Sequence, residues 1–321
     1  MSETRPILRL GSRGSPLALA QAEAAKARLG ETHPELAAEG AVEIVVVKTT
    51  GDKQQKRRLA EIGGKGLFTK ELEDALFDGR IDVAVHSMKD VPTWLPEGLS
   101  IPAILEREDP RDAWFSSKGD SVAALPEGAV VGTASMRRQA QVLAQRPDLK
   151  VVNFRGNLQT RLRKLGDGEV DATMLALAGL RRMGMADKAT AVLSTDELLP
   201  AVGQGAIGLE VRADDARAHD LVAAVTHAPS ALRVNAERAC LDVLDGSCRT
   251  PIGVLAEFGE DGKNAAKVRL RALVAAPDGS RVWRAERAGA AEQAESLARD
   301  AGAELRKAAG EAFFEALADI F

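Results

Sequence analysis

The chain has 321 residues, 45% of them hydrophobic and 28% charged, enough to bury two or three separate cores. Its formal net charge of −4 excludes a general binder of nucleic acid or anionic membrane, so any basic cluster must serve a small ligand. No apolar run spans a bilayer, the start lacks a secretion signal's apolar core, and the two cysteines build neither a disulfide framework nor a zinc site; a cytoplasmic protein is expected.

PILRL and VEIVVVK read as short strands, and between them Ser15-Pro16 opens the helical run LALAQAEAAKARL, which Gly30 should stop. TGDKQQKRRLAEIGG is polar with glycine near both ends, and reads as a surface loop or a lid. GGKG, with Lys65, precedes Thr69 and an amphipathic helix in which Leu72 and Leu76 stand four apart. IDVAVHS is a buried-looking strand that ends in MKDVP. AVVGT, KVVNFR and ATMLALAG read as further strands, separated by helices that begin near Met136 and Leu158. This alternation predicts parallel sheets with helices on both faces, and ligands in such sheets lie beyond the carboxyl ends of the strands. IPAILEREDPRDAW reads as the hinge between two α/β halves, and LLPAVGQGAIGLEVR as the return into the first. Beyond residue 228 the pattern changes. VRLRALVAAPDGSRVWRAER alternates around Pro277-Asp278-Gly279 as a hairpin does, and an Ala-rich helical stretch follows, with Phe313, Leu317 and Ile320 on one face. The expected domains are 1–105 with 206–225, then 106–205, then a small α+β domain over 226–321.

At four places cations stand where a helix begins, the end at which the helix dipole is already positive. Arg13 precedes Ser15, Lys65 precedes Thr69, Arg137 and Arg138 follow the expected cap Ser135, and Arg155 precedes Gly156-Asn157. Helix N-termini and guanidinium forks attract the same anions, so the set points to a ligand with several carboxylates or phosphates. Ordinary surface cations beside ordinary caps are the competing reading of any one site. Asp90, at the carboxyl end of a strand beside Lys89, is placed to move a proton or to stabilise a developing cation, or else to cap its own turn. Cys248 lies in the turn-rich LDGSCRTPIGV, where neighbouring Arg249 favours a thiolate; an inert thiol is the alternative. Cys240 has apolar neighbours and reads as core, as does His86 within its strand.

SRGSPLALAQ, GGKGLFTKELE, VHSMKDVP, EREDPRDA, GTASMRRQAQ, FRGN, LAGLRRMG, LPAVGQGAIG and GSCRTPIG, in this order from Leu8 to Gly253, resemble the porphobilinogen deaminase (hydroxymethylbilane synthase) family. The resemblance implies two α/β domains like a type II periplasmic binding protein, with the site in the cleft between them, and a small third domain. It implies a monomeric transferase of tetrapyrrole and heme biosynthesis. Four porphobilinogens are condensed head to tail with loss of ammonia, through oligopyrrole intermediates, to hydroxymethylbilane. It implies a covalent dipyrromethane cofactor in thioether linkage to Cys248, and no metal. Asp90 matches the family's catalytic carboxylate, which faces the cationic azafulvene left when ammonia departs. Arg13, Ser15, Lys65, Lys89, Arg137, Arg138, Arg155, Arg161 and Arg182 match its residues for substrate and cofactor carboxylates. Ser87, Thr133, Ser135, Gly156, Asn157 and Gln204 fall in the same motifs. Glu61 departs from members that carry Lys there, and Lys56, Arg57 or Arg58 would have to supply that contact. Two rivals use the same residues differently. A non-catalytic two-lobed polyanion binder needs neither Cys248 nor Asp90, and a generic cysteine transferase lacks a histidine partner.

Overall fold

The computed structural model describes residues 6–49, 68–244, 250–259 and 266–319. The chain forms two compact units: residues 1–54, 64–108 and 205–231, and residues 55–63, 109–204 and 232–321. Lys56, Arg57, Arg58, Glu61, Lys65, Cys248, Arg249, Ile320 and the expected lid lie outside the described residues.

Unit 1 opens on β1 (Leu8–Arg13), α1 (Pro16–Thr32) and β2 (Val42–Val47), and continues with α2 (Lys70–Phe77), β3 (Val83–Ser87) and β4 (Leu99–Ile104). It closes with β10 (Ile207–Arg212) and α6 (Ala216–Ala223). Its sheet has the order β2-β1-β3-β10-β4, parallel through β3, with β10 antiparallel to both of its neighbours. Leu8, Leu10, Val83, Val85 and Leu209 of the sheet pack on Ala22, Ala25 and Leu29 of α1 and on Val222 of α6. The alternation of small and branched apolar residues in α1 makes that contact close. It also carries the helix past Gly30 to Thr32, since Gly30 inside a packed helix costs only about 1 kcal/mol.

Unit 2 contains the second sheet. Its strands are β5 (Asp112–Ser116), β6 (Val130–Gly132), β7 (Lys150–Val152), β8 (Ala172–Ala176) and β9 (Ala191–Val192). Its helices are α3 (Met136–Gln145), α4 (Leu158–Gly166) and α5 (Leu177–Arg182). The order β7-β6-β8-β5-β9 repeats that of the first sheet: three parallel strands, one antiparallel strand, one edge strand. In each sheet the antiparallel strand is the one that the chain enters on leaving the other unit. Each sheet therefore mixes parallel and antiparallel pairs, which corrects the expectation of parallel sheets. The expected hinge is itself shared out: IPAI ends β4 and DAW begins β5, so the connection is residues 105–111. ATMLALAG is not one strand, because the chain turns into α5 at Leu177.

Unit 2 also holds the C-terminal part. Here α7 (Ala228–Val243), which starts in unit 1, leads to the antiparallel sheet of β11 (Ile252–Phe258), β12 (Lys267–Ala275) and β13 (Val282–Ala290). Two helices follow, α8 (Ala294–Ala309) and α9 (Glu311–Asp319), separated at Gly310 where one continuous helix was expected. The expected hairpin turn between β12 and β13 packs on α3. Gly279 has φ +74°, and a Cβ there would stand 2.3 Å from the Ala144 nitrogen. Gln139 of α3 donates to the Pro277 carbonyl at 3.0 Å. Among the described residues no helix is long and apolar enough to cross a membrane.

One charge pair fixes the amino end of the first sheet. Asp82 accepts from the Arg9 backbone N–H at 2.9 Å and from its guanidinium at 3.1 and 2.7 Å. Burial alone would raise the Asp82 pKa, but Arg9 outweighs it and holds the carboxyl below its ordinary value. This stabilisation is present above the unfolded value near 4 and is lost as pH falls through the depressed one. Asp82→Asn is expected to lower unfolding free energy by roughly 1–3 kcal/mol at pH 7. In urea melts the difference from the parent should shrink progressively below about pH 4. A difference that stays constant to pH 3 would show that the pair contributes nothing through its charge.

Candidate active site

The carboxyl ends of the parallel strands carry the candidate residues in both units. In unit 1, β1 ends at Arg13, whose guanidinium lies 4.1 Å over the Phe68 ring. Ser15 caps α1 as expected, accepting from the Ala18 N–H at 3.2 Å. Thr69 stands at the start of α2 but makes no side-chain cap hydrogen bond. Neighbouring β3 ends at Ser87, whose hydroxyl accepts from buried Gln21 of α1 at 2.7 Å. A single 3₁₀ turn, Met88–Asp90, follows. Met88 is buried and its sulfur fills the space that a Cβ on Gly208 would occupy, so the turn is anchored from below. Lys89 and Asp90 are half-buried above it. Among the described residues none donates to the Asp90 carboxylate or pairs with it. His86 is core, as expected, with Nε2 bonded to Glu210 at 2.7 Å.

In unit 2, Thr133 follows β6, is buried, and accepts from the Ser135 N–H at 3.1 Å. Ser135 caps α3, accepting from the Arg138 N–H at 3.5 Å. Arg137 and Arg138 do stand in the first turn of α3, yet they are not surface forks. Their side chains are only 5% and 7% exposed, and each guanidinium meets one oxygen of Asp112, at 2.7 and 2.6 Å. Asp112 starts β5, and because β5 runs antiparallel its first residue lies opposite Ala176, at the carboxyl end of β8. Burial alone would raise the Asp112 pKa; the two arginines overwhelm that and hold it far below the carboxylate range. Gln204, also buried, donates to Asp112 at 3.0 Å and to the Pro110 carbonyl at 2.6 Å.

The loop after β7 supplies the next cations. Asn157 caps α4, accepting from the Thr160 N–H at 2.8 Å. Gly156, at φ +134°, adopts a backbone closed to other residues, and its carbonyl accepts from Arg161 Nε at 3.0 Å. Burial lowers the Arg155 pKa. Burial, and then the nearby cations Arg138 and Arg155, bring Arg161 down to about 10. It therefore stays protonated at neutral pH, and the charges that act on it are other cations. Arg182 closes α5, which leaves β8 directly. Asp112 and Gln21 are the residues that sequence reasoning missed. Both lay in motifs already noted, but nothing in EREDPRDA separates Asp112 from Asp109, which pairs locally with Arg111 at 2.7 Å.

The model of the porphobilinogen deaminase dipyromethane cofactor binding domain matches residues 8–220, and that of the porphobilinogen deaminase C-terminal domain matches residues 231–307. The chain belongs to the porphobilinogen deaminase family. The chloroplastic porphobilinogen deaminase of Oryza sativa subsp. japonica is 55% identical over 313 residues, covering 97% of this chain and 86% of that protein. Porphobilinogen deaminase of Paracoccus denitrificans is 54% identical over 315 residues, covering 98% of each. Among solved structures, the methionine binding protein MetQ has a TM-score of 0.43 at 15% identity, over 68% of this chain and 89% of that one. The matched family model is that of a dipyrromethane cofactor binding domain, and the residues of unit 2 fit a ligand that carries carboxylates. Two buried donors, Arg137 Nε and Arg138 Nε, have no protein acceptor among the described residues, and the charges that act on Arg161 are the cations Arg138 and Arg155. Unsatisfied buried donors cost roughly 1–3 kcal/mol each, a cost that a ligand carboxylate removes.

Proposed function

We propose that this chain joins four porphobilinogen molecules head to tail, with loss of ammonia, and releases hydroxymethylbilane. As a member of the porphobilinogen deaminase family it is a transferase of tetrapyrrole biosynthesis. The observation that supports the substrate class most directly is Arg161, a cation kept beside Arg138 and Arg155 with its pKa brought down to about 10. Such a cluster is stabilised by added carboxylates, and porphobilinogen carries an acetate and a propionate. Ser15, Ser135 and Asn157 leave helix N-termini turned to the same kind of group. Arg13, Ser87, Lys89, Lys65, Thr133, Arg137, Arg138, Arg155, Gly156, Arg182 and Gln204 serve the substrate and the cofactor.

A dipyrromethane, in thioether linkage to Cys248, supplies when bound the free pyrrole position at which the chain is extended. Asp90 does the protein's chemistry. Its carboxylate, seated on the Met88–Asp90 turn with no other partner among the described residues, first orients the substrate's pyrrole N–H. As the C–N bond breaks, its electron pair leaves with ammonia and positive charge spreads over the ring. A fixed carboxylate lowers the energy of that cation. The same oxygen then holds the proton that ring carbon releases once the new C–C bond has formed. The polyanion-binding alternative requires none of these roles for Asp90. Purified protein given porphobilinogen should release four ammonia molecules per hydroxymethylbilane formed. Binding of porphobilinogen without any ammonia would return the chain to the non-catalytic reading.

A further inference from the structure

The buried cluster at the start of α3 is unbalanced: two guanidiniums share one carboxylate. Asp112 is fully buried, with Oδ2 on Arg137 and Oδ1 on both Arg138 and Gln204. The second terminal nitrogen of each arginine is spent on a backbone carbonyl, Leu199 at 2.6 Å and Met174 at 2.9 Å. An ion pair kept for stability alone would be balanced one to one, since an excess buried charge is strongly unfavourable. Here the excess is a cation, at the strand edge where Arg155 and Arg161 also lie, and each guanidinium retains an unspent Nε donor.

We propose that Asp112 is a positioning residue for this reaction: it fixes Arg137 and Arg138 in the orientation in which they serve substrate carboxylates, and Gln204 fixes Asp112. The inference rests on the reading of the chain as a deaminase given above. It follows from the geometry of the fork. A guanidinium whose two terminal nitrogens are tied down cannot swing, so its remaining N–H has one direction. Without the carboxylate the two side chains repel each other, Arg161 repels Arg138, and they leave that orientation. The carboxylates they serve do not react, so they are held alike in ground and transition states; losing the hold raises KM more than it lowers kcat.

Asp112→Asn keeps the shape and removes the charge, and Asp112→Glu keeps the charge and displaces it by one methylene. In Asp112→Asn, KM for porphobilinogen should rise about tenfold, with kcat per cofactor-loaded chain (loading read by intact mass) changed less than about threefold. Asp112→Glu should fall between that variant and the parent, at about a threefold rise. Peptide mass mapping after treatment with phenylglyoxal should show Arg137 and Arg138 modified faster in both variants than in the parent. If Asp112→Asn does not fold, Asp112→Glu, which retains the ion balance, decides alone. A variant that melts cooperatively and keeps the parental KM would overturn the proposal, whatever its melting temperature. A parent that consumes no porphobilinogen would instead refute the functional reading and leave a separate failure.

Discussion

Asp90→Asn is expected to lower kcat by roughly 10²–10⁴ while leaving KM within a few-fold. The amide has the size of the carboxylate and can still accept a hydrogen bond from the pyrrole N–H, so the substrate is bound and oriented. It carries no charge, so the ring cation formed as ammonia leaves loses its counter-ion. It is also a poor base, so the ring proton has no acceptor at the end of the step. Stability should barely change, because the turn is held by buried Met88 beneath Gly208 and not by the Asp90 side chain, which has no partner among the described residues. Ammonia release, together with a urea melt, checks both halves. A variant with near-normal turnover would exclude the role given to Asp90. A variant that is inactive because it has unfolded would show instead that the carboxylate caps its turn.

The difference between Asp90 and Arg137 shows how far the sequence could be read. Asp90 was legible because a strand ending in Pro-flanked turn residues puts its last side chains at one edge, whatever the rest of the molecule does. The caps Ser15, Ser135 and Asn157 were legible for the same reason, being local hydrogen bonds between near neighbours. The surroundings of Arg137 and Arg138 are not local. Asp112 is 25 residues away from Arg137, and it arrives on a strand that runs against the others. The apolar run DAWFS reads alike in either direction, so the hydrophobic pattern cannot say whether Asp112 stands at the carboxyl or the amino edge. The same ambiguity hid α5, since an unbroken apolar run such as ATMLALAG suits a buried strand or a buried helix equally. Cation-bearing helix starts were read as offered to an anionic ligand, whereas Arg137 and Arg138 already hold a carboxylate of the protein, Asp112, inside it. Their count pointed to a polyanionic ligand, and the residual positive charge left after Asp112 is subtracted points the same way.

Cys248→Ser should lose the dipyrromethane and with it essentially all turnover. A thiol becomes a strong nucleophile once a neighbouring cation such as Arg249 favours its thiolate, whereas a serine hydroxyl is far less acidic and needs a general base to become one. By intact mass the parent should exceed its sequence mass by one dipyrromethane and the variant should show the bare chain. The other cysteine is the internal control. Cys240 is buried in the core of the C-terminal part, and burial, reinforced by Glu237, pushes its thiol up to about 12, so it is neither accessible nor ionised. Cys240→Ala should therefore keep the added mass and lose only the modest stability of a small core truncation. An adduct retained in Cys248→Ser, or lost in Cys240→Ala, would move the attachment point away from the loop. A parent with no adduct at all would remove the primer and favour the polyanion binder, because only the enzyme needs a covalently held starting unit at that sulfur.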